Sequence, residues 1–336
     1  MKDIDKILEN LFSDLNPKQK KVINERFGLT GKNYTLQAIG DDLDVTRERI
    51  RQIESQGVKK LKPGIKKEFA GFIEKTEKLL DKIGGVCRDD KFIKDVKKLG
   101  EIGNAGNLDN KLRFIFLIAE HPNFHGENNN VHAFWYKNKK NKKNLFTYLE
   151  KAVKFFKKND RSKILENKIY KGEFKNPNFE NFISISKKFG TNVFGDLGLK
   201  EWPEIEPKAI RHKAYLVLKK KEEPLHFSDI ANQIGDMGIA EKRAHIQTVH
   251  NELIKDNRFI LVGRGIYSLK GYGYEDGTVR EVIQRILEKN GPLNPDGVLK
   301  LVNQKKILKK STILLNLQSK NHFKRLDDGR YCIHEA

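Results

Sequence analysis

Four polar side chains in the segment DVTRERIRQIE have the types and the spacing needed to read the edges of DNA base pairs. Arg47, Glu48, Arg51 and Gln52 are spaced at i, i+1, i+4 and i+5, so they share one face if this segment is a helix. Arginine can pair bidentately with guanine, glutamine with adenine, and a glutamate can accept from the amino group of cytosine. A clamp for phosphates alone would need only basic side chains, so Glu48 favours base reading. The alternative is a solvated helix face that binds nothing.

The residues around this set predict a helix-turn-helix in residues 34–62. Thr35 and Thr46 each stand where a side-chain oxygen can cap the start of a short helix. Gly40 lies where the two helices must approach closely, and Val45 fills the corner between them. In such a motif the second helix, called the recognition helix below, enters the major groove and presents its first residues to base edges. The polar set lies in those first turns.

Two further helices are predicted upstream of the motif. Apolar residues at spacings of three and four open the chain and form one stripe, namely Ile4, Ile7, Leu8, Leu11 and Phe12. A second helix has Asn16 as its cap and Pro17 as its first residue, and it ends at Gly28. Downstream, Pro63 and Gly64 predict the end of the recognition helix.

These segments together resemble region 4 of the primary bacterial sigma factors. The resemblance rests on RFGL, then YTLQAIG, then DVTRERIRQIE and a KKLK tail, and it covers roughly residues 14–62. It implies contact with the minus-35 promoter element, in which Arg47, Glu48 and Gln52 read bases. It also implies that the other face of the domain docks on the flap of the RNA polymerase beta subunit. The residues expected to touch or approach phosphates are Arg26, Thr35, Leu36, Thr46, Arg49, Arg51 and Lys59.

The chain also departs from the sigma pattern. A working sigma factor needs an aromatic-rich helix that recognises and melts the minus-10 element, and nothing before residue 14 supplies one. We therefore expect that the chain is not a complete sigma factor. It keeps the module that reads duplex DNA and adds on the order of 270 residues on the C-terminal side. The role of those residues decides the function.

Net charge points to a polyanionic partner. The chain has 66 Lys and Arg residues against 45 Asp and Glu residues, a formal charge of +21. This excess favours nucleic acid through counterion release. The sequence has no apolar run of about 18 residues that could span a bilayer and no signal-peptide pattern, so we expect a cytoplasmic protein that does not bind membranes.

An internal repeat occupies the last part of the chain. The seven residues Thr248, Leu253, Asn257, Phe259, Gly265, Tyr267 and Leu269 recur 64 residues later as Thr312, Leu317, Asn321, Phe323, Gly329, Tyr331 and Ile333. Each copy reads helix, Pro-Leu connection, helix, loop, helix and two short strands around a Gly turn. This order predicts two winged helices, in residues 207–271 and 275–336.

The first copy resembles the HARE type of helix-turn-helix, which occurs in the N-terminal domain of the RNA polymerase delta subunit. The resemblance rests on RHKAYLVL, PLHFSDIA and NELIKDNRFILVGRGIYSL. It implies a role in transcription without deciding between DNA and protein as the partner. Arg264, in the Gly turn, is a candidate DNA contact.

The second copy is a plainer winged helix with basic residues in its third helix. Lys309, Lys310 and Thr312 are its candidate DNA contacts, with Asn316 and Lys320 beside them, because lysines near a wing suit phosphates. The alternative, for both copies, is a structural spacer with solvated lysines.

Residues 65–206 predict a helical middle region with one or two winged-helix-like modules. A helix runs from about Ile65 to Ile83, and LRFIFLIAE fits a buried helix or strand. The lysines and asparagines of HAFWYKNKKNKKNLF predict a flexible linker or a basic loop that meets DNA, and a solvated loop is favoured. The segment FENFISISKKFGTNVFGDLGLKEWPEI predicts a further helical module.

Signals for catalysis and cofactors are weak. His121, His125 and His132 lie in an Asn-rich stretch that lacks the spacing of a metal site, and the two cysteines, Cys87 and Cys332, belong to no ligand-spaced cluster. There is no Walker-type glycine loop and no nucleophile elbow, and GRGIYSLKGYG fits wing turns better than a nucleotide site. We expect no enzyme activity, cofactor, metal or small-molecule substrate.

The sequence therefore predicts a mainly α protein with small β wings, built as a multi-domain array of helix-turn-helix and winged-helix modules. Residues 1–64 form the first module and 65–206 the middle region, followed by the two repeats. The leading function is a sequence-specific transcription factor that reads minus-35-type promoter DNA and contacts RNA polymerase. The alternative is an accessory subunit, similar to delta or competing with a sigma factor, that binds polymerase rather than reading DNA alone.

Overall fold

The computed structural model describes residues 3–103 and 105–334, which are mainly helical with small antiparallel sheets. The chain divides into two compact units. The first comprises Met1–Gly190 with Leu197–Lys200, and the second comprises Thr191–Asp196 with Glu201–Ala336. The finer division at residues 64, 206 and 271 stays a prediction.

The first unit opens with the helices that the sequence predicts. They are α1 (Ile4–Phe12), α2 (Pro17–Phe27), α3 (Leu36–Asp42) and α4 (Arg47–Lys82). Asn16 caps α2 in a capping box with Gln19, and Gly28 ends it in the left-handed region, at a φ of 63°. Thr35 and Thr46 cap α3 and α4, as predicted.

Helix α4 does not end where the sequence predicts. It is 36 residues long and continues through Pro63 and Gly64 to Lys82, so the predicted end at Pro63 and Gly64 is wrong. An interior proline removes one backbone hydrogen bond and strains the turn before it. Packing compensates, because Leu61, Ile65 and Phe69 are buried on one face. Gly64 matters for another reason, since a Cβ there would come within 2.4 Å of the Leu11 side chain in α1.

The chain between α4 and residue 200 folds into short helices and strands. In order they are β1 (Val86–Arg88), α5 (Asp89–Lys97), α6 (Leu108–Ala119), β2 (Asn123–His125), β3 (Phe134–Tyr136), α7 (Lys139–Lys158), α8 (Arg161–Leu165), α9 (Tyr170–Glu173), α10 (Phe179–Ile185), β4 (Phe189–Thr191) and β5 (Leu197–Leu199). Strands β1, β2 and β3 form an antiparallel sheet in which β3 is the central strand. A two-stranded sheet joins β4 and β5.

Two segments left open by the sequence adopt definite structures. The run LRFIFLIAE lies in α6, a helix that is buried over most of its length. The lysine- and asparagine-rich stretch is a helix rather than the expected loop, since α7 begins at Lys139 with Asn138 as its cap. The prediction failed because one face of α7 is apolar at helical spacing, with Leu145, Leu149, Ala152 and Phe156 buried.

Helix α6 joins the helix-turn-helix segment to the middle region. Phe114 packs edge-on against Phe27 of α2, with ring centroids 4.9 Å apart, and also contacts Phe12 of α1. Lys111 is paired with Asp5, and the Asn110 amide donates to the Gly28 carbonyl at 3.0 Å. One apolar cluster therefore extends from Ile4 to Trp135.

The second unit contains two successive runs of helices and strands. The first run is α11 (Ile210–Lys221), β6 (Leu225–His226), α12 (Phe227–Asp236), α13 (Ile246–Lys255), β7 (Phe259–Gly263) and β8 (Ile266–Leu269). The second is α14 (Val279–Asn290), α15 (Pro295–Asn303), α16 (Lys310–Leu317), β9 (Phe323–Arg325) and β10 (Tyr331–Ile333). Each run has its own apolar core.

The two runs share pairings at equivalent positions of the repeat. Leu225 pairs with Tyr267 in the first, and Leu293 pairs with Tyr331 in the second. The runs also contact each other, because the Ile307 amide donates to the Val262 carbonyl at 2.7 Å. Lys306 is buried beside that contact and donates to the Leu261 carbonyl at 2.8 Å. Burial lowers the pKa of the Lys306 ammonium group below its ordinary value.

Candidate nucleic-acid interface

The first turns of α4 present the predicted base-reading set to solvent. Arg47, Glu48, Arg51 and Gln52 are all exposed. The Thr46 hydroxyl caps this end of the helix by accepting from the Arg49 amide at 3.2 Å. The structure therefore brings the four side chains together at one end of a helix whose first turn is fixed by its cap.

The same side chains pair with one another in the absence of DNA. Arg51 holds both oxygens of Glu48, with Nη2 at 2.7 Å from Oε1 and Nε at 2.9 Å from Oε2. Arg49 donates to the Gln52 amide oxygen at 3.1 Å. The hydrogen bond from Arg51 lowers the pKa of the Glu48 carboxyl below its ordinary value, so Glu48 is an ionised acceptor at neutral pH. Base contacts by Glu48 and Gln52 would have to replace these exposed pairs, which are individually weak.

A small apolar core holds the recognition helix against α2 and α3. Val22, Ile39, Ile50 and Ile53 are buried together, and half-buried Leu36, Leu43 and Val45 pack around them. The turn between the helices is tight, since a Cβ on Gly40 would lie 2.6 Å from the Val45 carbonyl oxygen. Val45 thus fills the corner as predicted, and this packing sets the direction of the exposed face.

The predicted phosphate-contacting residues are in varied environments. Thr46, Arg49, Lys59 and Thr35 are exposed, and the Thr35 hydroxyl caps α3 by accepting from the Ala38 amide at 3.1 Å. The Leu36 side chain belongs to the apolar core, so only its backbone could approach a phosphate.

Arg26 is half-buried at the end of α2. Its Nε lies 3.6 Å from Glu54 Oε1, and its Nη1 donates to the Tyr34 carbonyl at 3.5 Å. These contacts tie Arg26 to α4 and to the segment before α3. A structural role therefore accompanies any phosphate contact made by this guanidinium group.

The candidate contacts in the second unit are less well arranged for DNA. Arg264 is exposed in the turn between β7 and β8, and Lys309 and Lys310 are exposed at the start of α16. Thr312 is half-buried, and the centre of the outer face of α16 carries Leu315, which is 72% exposed.

Sequence reasoning missed the apolar character of these outer faces. In α13, Ile246 and Ile254 are exposed on either side of a hydrogen bond between Gln247 and Asn251. Ile254 directly follows buried Leu253 and so lies about 100° around the helix from it, away from the stripe of Val249 and Leu253. An apolar residue off the buried stripe is the sequence signal for this exposed position.

The histidines and cysteines do not form a site together. His121 lies 3.4 Å from Glu77, whereas His125 packs on the ring of Phe134. Among residues 3–103 and 105–334, no group of three metal-ligating side chains is arranged to hold an ion. Cys87 is buried, which raises the pKa of its thiol to about 12, and Cys332 is half-exposed. Within the same described residues, no helix is both long and apolar enough to cross a membrane.

The helix-turn-helix segment matches a known family. The family described as Sigma-70, region 4 matches residues 11–62, which include α2, α3 and the first turns of α4. The resemblance inferred from the sequence is therefore confirmed for this segment. The match covers well under half of the chain, so it characterises the segment and not the whole protein.

Sigma factors from distant organisms are similar over the same segment. RNA polymerase sigma factor RpoD of Helicobacter pylori is 47% identical over 62 residues, which are 18% of this chain and 9% of the relative. RNA polymerase sigma factor SigA of Clostridium acetobutylicum is 39% identical over 69 residues, 20% of this chain and 18% of the relative. RNA polymerase sigma factor sigB of Arabidopsis thaliana is 48% identical over 61 residues, 18% of this chain and 10% of the relative. The chain thus covers less than a fifth of the length of each of these relatives.

Proposed function

We propose that this protein is a sequence-specific DNA-binding transcription factor whose recognition helix reads minus-35-type promoter DNA. The observation that carries the proposal is the exposed, mixed-sign set at the start of α4, in a segment that matches sigma region 4. Arg47, Glu48 and Gln52 read bases, and the exposed basic residues beside them contact phosphates. Such a role belongs in the cytoplasm and assigns no catalytic step or cofactor to the chain.

RNA polymerase is the second partner in this proposal, through the flap of its beta subunit. The available surface is limited by the chain itself, because Phe114 of α6 already packs against α1 and α2. Flap docking therefore uses the part of the helix-turn-helix module that α6 leaves uncovered.

The rest of the chain supplies further modules in this proposal. The two runs of the second unit are winged helices, the first of the HARE type, and their support is the shared pairing of Leu225 with Tyr267 and of Leu293 with Tyr331. The sheet order of β1, β3 and β2 matches that of β6, β8 and β7. In both sheets the strand that comes last along the chain, β3 or β8, is central. The same argument therefore extends the winged-helix interpretation to the middle region.

A second candidate function is an accessory subunit that binds polymerase through the second unit. The observation in its favour is the apolar character of the outer helix faces, with Ile254 63% exposed and Leu315 72% exposed. Exposed aliphatic groups on a helix where a winged helix would read DNA suit a protein surface better than phosphates. Arg264, Lys309, Lys310 and Thr312 would then lie at the edge of a protein interface.

The experiment that tests the proposal compares duplexes with and without a minus-35 consensus at one salt concentration. The wild-type protein is expected to prefer the consensus, and the double variant Arg47→Ala/Gln52→Ala is expected to lose about 1 to 3 kcal/mol of that preference per bidentate pair. Lys94→Ala is the matched control, because it removes one positive charge from an exposed position in α5. It should leave the preference unchanged.

Adding core polymerase separates the two candidates. Preference for the consensus by the protein alone, lost in the double variant, supports an autonomous promoter reader. If the preference appears only with polymerase and the double variant retains it, the protein is an accessory subunit and the first proposal fails.

A further inference from the structure

A second strongly basic surface lies on α7, far along the chain from the recognition helix. The helix Lys139–Lys158 contains eight lysines and one glutamate, so 20 residues carry a third of the net charge of +21. Its buried side faces the apolar core of the first unit. Seven lysines are exposed, and the 100° turn per residue places them within about 120° of one another: Lys139, Lys140, Lys143, Lys151, Lys154, Lys157 and Lys158.

Most of these lysines have no acidic partner. Lys151 is paired with Glu173 at 2.7 Å. Lys139, Lys140, Lys143, Lys154 and Lys158 form no ion pair with any residue in the described ranges 3–103 and 105–334. Several like charges along one helix face repel each other unless a counter-charge is bound. The fold therefore keeps a row of seven lysines about 28 Å long, at 1.5 Å per residue, of which the five named above form no ion pair within the described residues.

The types of the other side chains on this face indicate which kind of polyanion it binds. All other exposed residues of α7 are polar, namely Asn144, Thr147 and Glu150. A helix that lies in a membrane interface exposes aliphatic or aromatic residues beside its lysines, and this face has none. Proteins that bind single strands stack bases on exposed aromatic rings, which are also absent from the exposed face of α7.

We propose that the lysine face of α7 binds the phosphate backbone of duplex DNA without reading its sequence. The proposal rests on the proposed function, since it assumes that the recognition helix brings DNA to the first unit, to which α7 also belongs. A length of about 28 Å corresponds to roughly eight base pairs of duplex. Lysine ammonium groups act as point charges, so this face adds affinity and leaves base preference to α4.

The test is the salt dependence of binding by the full chain to a duplex of about 30 base pairs, or three helical turns. The variant is Lys139→Gln/Lys143→Gln/Lys154→Gln/Lys158→Gln, and glutamine keeps the helix propensity of lysine. The slope of log K against log salt is negative, and each lost phosphate contact reduces its magnitude by about 0.9, so loss of all four reduces the magnitude by about 3 to 4. The ratio of affinities for consensus and non-consensus duplex should not change.

A charge-matched control separates this surface from net charge in general. Lys66→Gln/Lys67→Gln/Lys91→Gln/Lys94→Gln removes four exposed lysines from α4 and α5 of the same unit. It should change the slope much less than the α7 variant does. Circular dichroism of both variants, with unchanged helix content, excludes unfolding as the cause.

The outcomes are distinguishable from those that test the proposed function. An unchanged slope in the α7 variant, or an equal change in the control, overturns the inference. Unchanged duplex binding with weakened binding to single-stranded RNA also overturns it and identifies a different polyanion. If the wild-type protein shows no consensus preference, but the salt dependence of duplex binding is still weaker for the α7 variant than for the wild type, the proposed function fails and the inference stands.

Discussion

Pro63 lies in the interior of α4, and its replacement is expected to change the free energy of unfolding of the first unit. It is exposed, so replacing it with alanine removes no packing contact. Pro63→Ala restores an N–H that can donate to the carbonyl four residues earlier, a net gain of about 1 kcal/mol. It also removes the clash between the proline ring and that carbonyl, and the whole difference between proline and alanine in a helix interior is about 3 kcal/mol. We therefore expect the first unit to gain about 1 to 3 kcal/mol.

The assay uses the distribution of the two tryptophans. Trp135 lies in the first unit and Trp202 in the second, so fluorescence in a Trp202→Phe background reports unfolding of the first unit alone. Urea titration should show a higher midpoint with an unchanged slope for Pro63→Ala. Lys67→Ala, at an exposed site one turn further along α4, is the control and should change stability by no more than about 0.5 kcal/mol.

Two results would contradict the expected gain in stability. An unchanged midpoint would mean that Pro63 costs the helix neither a hydrogen bond nor a steric clash that alanine could relieve. A lower midpoint would mean that α4 must bend at Pro63 for α1 and α6 to pack, so that alanine straightens the helix at a cost.

Three further predictions concern the cap of the recognition helix, the reactivity of the two cysteines and the pH dependence that Cys87 contributes. Thr46→Ala removes the acceptor for the Arg49 amide and should cost about 1 kcal/mol of stability, whereas Thr46→Asp keeps an acceptor and should restore it; equal stability of both variants would contradict the capping role. Cys332 should react with a thiol reagent in the folded protein, and Cys87 should react only after denaturation. Because burial raises the pKa of Cys87 from 9.0 to about 12, its stabilising contribution should be present below about pH 9 and be lost as the pH rises toward 12. Rapid labelling of Cys87 in the native protein would contradict the expected protection of this buried thiol.

Local signals were sufficient for the start of the chain and insufficient further on. The caps at Asn16, Thr35 and Thr46 were predictable because capping depends on a side chain and the backbone within three residues of it. The end of α4 was not, because the burial of Leu61 and Ile65 against other helices outweighs the local cost of Pro63. Tertiary contacts of this kind leave no mark in a short window of sequence.

At the candidate sites, some local features were predictable from the sequence and others were missed. The exposed positions of Arg47 and Gln52 follow from helical periodicity and were predictable. The ion pair of Glu48 with Arg51 is also local, at a spacing of three residues, but it was not anticipated. The first lysines of α7, up to Lys143, were assigned to a loop, because the polar residues at the start of the helix conceal the apolar face that follows.

The shared core of the first unit also has a consequence for how the proposed DNA preference can change. Residues before and after position 64 contribute to one apolar cluster, in which Leu61, Ile65, Phe69 and Phe114 are buried together. A fragment cut there would expose those side chains to water, so the helix-turn-helix cannot be exchanged as a cassette with that of another protein. Under the proposed function, the sites where a substitution can change the DNA preference without disturbing packing are the exposed positions in the first turns of α4.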